Sequence, residues 1–126
     1  MKKELAAACL LAAFLAGALL HIRYLDRTAD ALCALVTDAE NAALDGDWTR
    51  SETCADEASA LWAARMPYLE IVLRHPELDA AGDALTEFAG ALTDRDPARI
   101  SGTAAMLRNR LRSLADMEKL RPGSIL

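Results

Sequence analysis

A chain of 126 residues with a net charge of −5 has room for one domain, or for one domain and an anchor. Moderate acidity keeps such a domain soluble and argues against nucleic acid, whose phosphates require a basic face. Hydrophobic residues make up 53% but aromatics only 5%. Ala and Leu carry the apolar content, which is helix composition, and no run alternates apolar and polar positions with β-branched enrichment, so an all-α fold is expected.

The chain opens "MKKELAAACLLAAFLAGALLHIRYLD". Residues 5–20 carry no charged or polar side chain except the Cys9 thiol. As a helix, the interval 2–23 spans roughly 31 Å, close to the hydrocarbon thickness of a bilayer. Lys2, Lys3 and Arg23 can snorkel to the headgroups, and Tyr24 suits the interface. Residues 1–22 are therefore expected to form a transmembrane anchor, and residues 23–126 an extracytoplasmic helical bundle. The rival reading is a signal peptide, with Ala16-Gly17-Ala18 as the small-x-small cleavage site. Both readings leave the two lysines inside and carry the remainder out of the cytoplasm. The anchor is preferred because the helical pattern continues past Ala18 without a flexible stretch. Ala6-Ala7-Ala8-Cys9 lacks the preceding apolar run that a lipidation signal needs. Ala13 and Gly17 form a small-xxx-small pair that lets membrane helices approach, a spacing that an Ala-rich segment also produces by chance.

From Ile22 to Leu44 there is neither Pro nor Gly, and Leu25, Leu32, Leu35 or Val36, and Ala39 recur at helical spacing. The anchor is expected to run straight into the bundle as one rod of roughly 42 residues and 63 Å. "LDGDW" breaks it: Gly46 can take the left-handed conformation that closes a helix, and Asp47 can cap the next. That second helix should bury Trp48, Ala55, Ala58, Trp62, Met66, Leu69 and Leu73, with a kink near residues 63–66 forced by Pro67. In "RHPELD", His75 is read as a cap, Pro76 as the first helical residue, and Glu77 and Asp79 as first-turn acids. Leu78, Ala81, Leu85, Phe88 and Leu92 then make an apolar face. In "TDRDP", Asp96 caps and Pro97 starts the last helix, whose face is Ile100, Ala104, Leu107, Leu111 and Leu114. Four helices on short loops pack as antiparallel neighbours. The paired helices hint at a two-fold repeat, with no residue-level repetition to support it. Pro122 and Gly123 are expected to end the last helix.

Several of these residues form a pattern. An N-terminal apolar helix precedes Asp47-Trp48; Trp62 follows fourteen residues after Trp48; then come "RHPELD" and a final "EKLRPGSIL". Over nearly its whole length the chain resembles the small bacterial membrane-anchored family known as domain of unknown function 4363. Many relatives carry Asn before the final Ile-Leu. The resemblance implies an anchored helical bundle of unknown role. Relatives are often encoded beside a second, multi-pass membrane family, which the resemblance turns into an expectation of a membrane partner. Pro67, the Ala richness and the cysteines depart from the family pattern, so the resemblance says nothing of a cysteine role.

The chemical inventory is thin. Cys33 and Cys54 flank the Gly46 turn unequally, offset by roughly 7 Å along the axis before the gap between helices is added, which is too far for an easy disulfide. They are read as buried or idle thiols. His75 and Asp79 share a helical face while Glu77 points away, and two ligands do not make a structural metal site; helix-start chemistry accounts for all three. On a helix Arg108 and Arg112 share a face and Arg110 points elsewhere, which reads as dipole pairing near a helix end rather than phosphate binding. There is no nucleophile elbow, no Ser-x-x-Lys and no Gly-rich phosphate loop, so no enzyme activity and no cofactor are expected.

Two features carry the interaction reading. Trp48 and Trp62 on one stripe fit either core packing or a surface platform, since aromatic residues are enriched at interfaces. Ser124, Ile125 and Leu126 either fold back over the bundle end or serve as a C-terminal ligand for a PDZ-type groove. The sequence is thus read as a single-pass protein of the cytoplasmic membrane, N-terminus inside, whose bundle docks on a membrane or envelope partner. Its candidate interface is Trp48, Trp62, His75, Glu77, Asp79, Ser124, Ile125 and Leu126. The alternatives are a ligand-binding sensor with a cleft near Pro67 and His75, and a protein secreted after signal cleavage.

Overall fold

The computed structural model describes residues 1–125, and side chains for residues 1–119. Four helices follow one another: α1 (Lys2–Leu44), α2 (Trp48–Val72), α3 (His75–Asp94) and α4 (Pro97–Ile125). No strand occurs among the described residues. α1 packs on α2 and α4, and α3 on α4, while α2 and α3 meet more sparsely. The expected all-α bundle forms, and the expected rod is one helix of 43 residues, about 65 Å long.

That rod has two stretches of different burial. An 18-residue apolar window near its N-terminus is long enough to cross a membrane and is 0% buried within the chain. Further along, Leu25, Ala29, Leu32, Val36, Ala39 and Ala43 are buried, at steps of four and three residues. The same alternation recurs in α4 at Ile100, Ala104, Leu107, Leu111 and Leu114, and in α3 at Leu78, Ala81, Leu85, Phe88 and Leu92. A repeat averaging 3.5 residues is the seam of helices that pack at a shallow angle. Ala39 and Ala43 of α1 and Ala55 and Ala58 of α2 lie in one core cluster, so small residues serve the α1–α2 side. Leu78, Phe88, Ile100 and Leu107 are the largest fully buried side chains and fill the α3–α4 side, each contributing about 1.5–3 kcal/mol by burial.

In α2, Ala55, Ala58 and Leu69 of the expected stripe are buried, and Trp48, Trp62, Met66 and Leu73 are half-buried. The helix continues through Pro67 to Val72. The stripe also holds Ser51, fully buried, whose Oγ donates to the carbonyl of Ala39 at 2.9 Å. That bond satisfies a hydroxyl that would otherwise cost free energy in the core.

The two hairpin turns at the far end from the apolar segment share one construction. Gly46 has φ +79° and Arg95 has φ +52°, both in the left-handed region. The next residue's N–H reaches back to close the helix in each: Asp47 to the Ala42 carbonyl at 2.8 Å, and Asp96 to the Ala91 carbonyl at 3.3 Å. Asp47 and Asp96 then cap α2 and α4, accepting from the N–H of Arg50 at 3.2 Å and of Arg99 at 3.4 Å. Asp45-Gly46-Asp47 and Asp94-Arg95-Asp96 are thus one motif used twice, the residue-level repetition that sequence inspection had not found. The left-handed position costs Arg95 strain that Gly46 does not bear. Its guanidinium lies over the Trp48 ring, 4.9 Å from the centroid, a contact of about 0.5–1 kcal/mol at an exposed site.

Two helix boundaries differ from expectation. His75 does not cap α3; it is the first helical residue, and Arg74, in extended conformation, is the cap without a side-chain bond. The Arg74 carbonyl takes the first helical bond, from Leu78 N–H at 3.2 Å. Pro76 has no N–H to leave unpaired in the first turn, so the start tolerates the missing cap. Pro122 does not end α4, which runs to Ile125. Proline has a helical φ, and a helix can run past it at the cost of one hydrogen bond and a clash with the carbonyl four residues back. The expectations for the side chains of Ser124, Ile125 and Leu126 lie outside the described residues.

α1 and α4 are joined by charge as well as by packing. Asp26 pairs with Lys119 at 3.1 Å, Glu40 with Arg108 at 3.0 Å, and Asp30 with Arg112. Arg108 and Arg112 share the face turned to α1, as read from their spacing. The two more exposed pairs, at Asp26 and Asp30, are worth about 0–1 kcal/mol each, while Glu40 and Arg108 are half-buried; the order of the three along both helices fixes the antiparallel register. Cys33 is buried, Cys54 half-buried and Cys9 exposed, all as free thiols.

Candidate functional site

At the end of the bundle nearest the apolar segment, the core seam turns polar. One step beyond Leu25 on α1 comes His21, one step beyond Leu114 on α4 comes Glu118, and between Trp62 and Leu69 on α2 comes Arg65. Glu118 is only 9% exposed. His21 bridges two helices: its Nδ1 meets the Tyr68 hydroxyl, and its Nε2 meets Glu118 Oε2 at 3.3 Å. Tyr24 packs edge-on against Tyr68, with ring centroids 4.8 Å apart. The Arg65 guanidinium sits over Tyr24, 5.4 Å from the ring centroid, and its buried Nε has no hydrogen-bond partner among the described residues.

Burial raises the Tyr68 phenol above its ordinary value, and the neighbouring Tyr24 and Glu118 push the same way. Tyr68 therefore keeps its proton. One neutral tautomer of His21 satisfies both contacts: the phenol donates to Nδ1, and Nε2–H donates to Glu118. The order carboxylate, imidazole, hydroxyl is that of a proton relay, but a phenol held protonated makes a poor nucleophile. What the layer does well is hydrogen-bond and present cations.

Beside it, between α1 and the end of α2, lies a cleft of about 620 Å³ walled by Gly17, Leu20, His21, Arg23, Tyr24, Arg27 and Tyr68. A second groove, of about 310 Å³, lies between the start of α3 and α4, walled by Pro76, Glu77, Ala80, Arg110, Ser113 and Met117 among others. Glu77 is half-buried, and its Oε2 is buried with no hydrogen-bond partner among the described residues.

The sequence candidates are scattered by the fold. Trp48 lies at the far end under Arg95. Trp62 packs on the core from α2 with its ring against Gly82 of α3, so each indole is committed to a contact within the chain. His75 and Asp79 are exposed and Glu77 faces the second groove. Pro67 and His75 line neither cleft. Among the described residues no three His, Cys, Asp or Glu side chains are gathered as metal ligands.

The sequence reading placed His21 within the anchor, residues 1–22, and gave it no partner. The missed signal was register. An antiparallel hairpin turning at Gly46 pairs residues whose numbers sum to about twice that of the turn, as Ala39 with Ser51 do. The same rule brings His21 within one turn of Tyr68. Among comparisons with known proteins, the model of the family described as domain of unknown function 4363 matches residues 19–125. It begins near the end of the apolar segment and takes in the whole polar layer. No curated protein and no solved structure shows significant similarity to the chain.

Proposed function

Since the chain belongs to the family known as domain of unknown function 4363, we propose from its geometry that it is a membrane-anchored, non-enzymatic accessory module for a membrane or envelope protein. One observation carries this reading. α1 is a single helix, uncovered across its apolar window and core-forming from Leu25. A chain with that helix holds its bundle against a bilayer without a linker, at fixed height and orientation. In this reading α1 crosses the cytoplasmic membrane once, with Lys2 and Lys3 inside and the bundle outside, and no cofactor takes part.

The surface next to the anchor supports a lateral partner. Ile71, on the last turn of α2, is 83% exposed, and Met117 of α4 is exposed near the same end. Large apolar side chains left uncovered beside a membrane helix suit contact with another membrane protein. The test is photo-crosslinking at native expression level. A benzophenone amino acid at Ile71 should capture one stoichiometric membrane protein, while the same probe at exposed Asp38 should capture none. Adducts to lipid alone, or equal background at both positions, would remove the partner from the reading.

A further inference from the structure

We propose that the cleft between α1 and the end of α2 binds the phosphate of an anionic phospholipid headgroup. The proposal rests on the membrane-anchor reading and names a ligand for the anchor's boundary.

Gly17 and Leu20 form the lower wall on the apolar segment, and Arg23, Tyr24, Arg27 and Tyr68 form the upper wall. Leu20 is 68% exposed. In a bilayer this places apolar wall at the acyl boundary and guanidinium groups at headgroup level, with tyrosines between, where aromatic belts sit. The volume of about 620 Å³ is in the range of small-molecule sites.

Arg23 and Arg27 are four residues apart, so they share a face and repel each other. Both are exposed, and neither has an ion pair among the described residues. The carboxylates that could neutralise them are engaged elsewhere: Asp26 with Lys119 at 3.1 Å, Asp30 with Arg112, and Glu118 with His21 at 3.3 Å. Arg65, over the Tyr24 ring, adds a third cation behind the wall. A cationic face uncompensated by the protein, at the depth of lipid phosphates, gains about 1 kcal/mol per basic residue from an anionic leaflet. A free phosphate ion would use the guanidinium groups but leave the Leu20 wall idle.

The cleft wall is preorganised. Tyr68 is held by His21, which is held in turn by Glu118, and Tyr24 is held between Tyr68 and Arg65. The wall therefore costs little to order on binding.

The experiment uses the full chain in nanodiscs of phosphatidylcholine, alone or partly replaced by phosphatidylglycerol. Phosphatidylglycerol should raise the melting temperature by about 4–8 °C. Arg23→Gln with Arg27→Gln should abolish that rise and weaken phosphatidylglycerol retention in native mass spectrometry about tenfold or more. The paired lysine variant, R23K with R27K, should keep part of it. Equal melting in both discs overturns the proposal, as does a rise that survives in the glutamine variant. Inorganic phosphate in phosphatidylcholine discs that reproduces the rise identifies a soluble anion and overturns the lipid assignment. A chain stripped from the discs by alkaline carbonate overturns the anchor and the cleft together; a chain retained without a phosphatidylglycerol effect overturns the cleft alone.

Discussion

The two halves of α1 have the same backbone and opposite surroundings. From Leu5 to Leu20 its side chains are apolar on every face, and its large ones stand uncovered, from Leu15 at 52% to Phe14 at 79% exposed. From Leu25 onward the helix buries a seam of apolar residues, and Val36 and Ala39 are 0% exposed. A helix that is apolar all round needs a solvent that is apolar all round; one with a stripe needs only a partner. Between the halves, residues 21–24 obey neither rule. There the seam position holds an imidazole, and its partner on α4 is a carboxylate. A polar residue at a seam position costs stability and fixes register. Here it also marks the depth at which protein packing hands over to the surrounding medium.

The contrast can be broken most directly by truncating one large side chain in each region. Phe88 is fully buried between the seams of α3 and α4, and Phe88→Ala should cost about 3–5 kcal/mol through lost burial and a residual cavity. Leu11 stands 63% exposed in the apolar segment, and Leu11→Ala should change bundle stability by less than about 0.5 kcal/mol. Denaturant titration of the full chain in mild detergent, followed by helical circular dichroism, reads both. Comparable losses would mean that the apolar segment folds back onto the bundle in solution.

An intermediate effect is expected at the handover itself. Glu118→Ala removes the acceptor of His21 Nε2 and leaves a partly buried donor unpaired, a loss of about 1–3 kcal/mol. Glu118→Gln retains an oxygen acceptor and should lose less. If alanine proves neutral, the polar layer does not hold the three helices in register, and the His21 contacts are incidental. Proton resonances of the imidazole would report the same change, since its Nε2–H signal should shift in both variants and broaden in alanine.

How much of this was legible in advance follows from which signals are local. Helix count, the Gly46 turn and the Asp47 and Asp96 caps are decided by a few neighbouring residues, and sequence inspection found them. The continuity of α1 followed from the lack of Pro and Gly between Ile22 and Leu44. Two helix ends were misread because a proline was taken as a stop or as a marker of the first residue, although a helix accepts proline where one missing N–H does no harm. Trp48 and Trp62 stayed open between core packing and a surface platform because spacing shows that two residues share a face but not how far the opposing helix covers it. Gly82 opposite Trp62 and Arg95 opposite Trp48 decide that, and both are distant in sequence. The polar layer needed three helices in register at once. Its only advance trace was the seam of alternating three and four steps, which continues from Leu25 back to His21 and from Leu114 on to Glu118.

The smallest effect is expected inside the α1 seam, at one proton. Burial pushes the Cys33 thiol above its ordinary value, while the guanidinium groups of Arg112 and Arg108 pull it partly back and Asp30 adds a little to the rise. The folded state therefore holds the thiol proton more tightly than the unfolded chain does. The sign follows from linkage. Below the unfolded thiol's pKa both states are protonated and the contribution is fully present; as pH rises toward the folded value, only the unfolded chain releases its proton, and stability falls. Denaturation midpoints measured from pH 7 to pH 10 should thus decline in the native protein and decline less in Cys33→Ala, after allowance for that variant's lower starting stability. The same burial should make Cys33 the slowest of the bundle thiols to alkylate, behind half-buried Cys54, because the thiolate is the reacting form. Parallel pH profiles in the two proteins, or equal alkylation of Cys33 and Cys54 under native conditions, would show that the middle of the α1 seam opens to water as readily as its edges. In that case the division between the two halves of the helix would be one of composition alone.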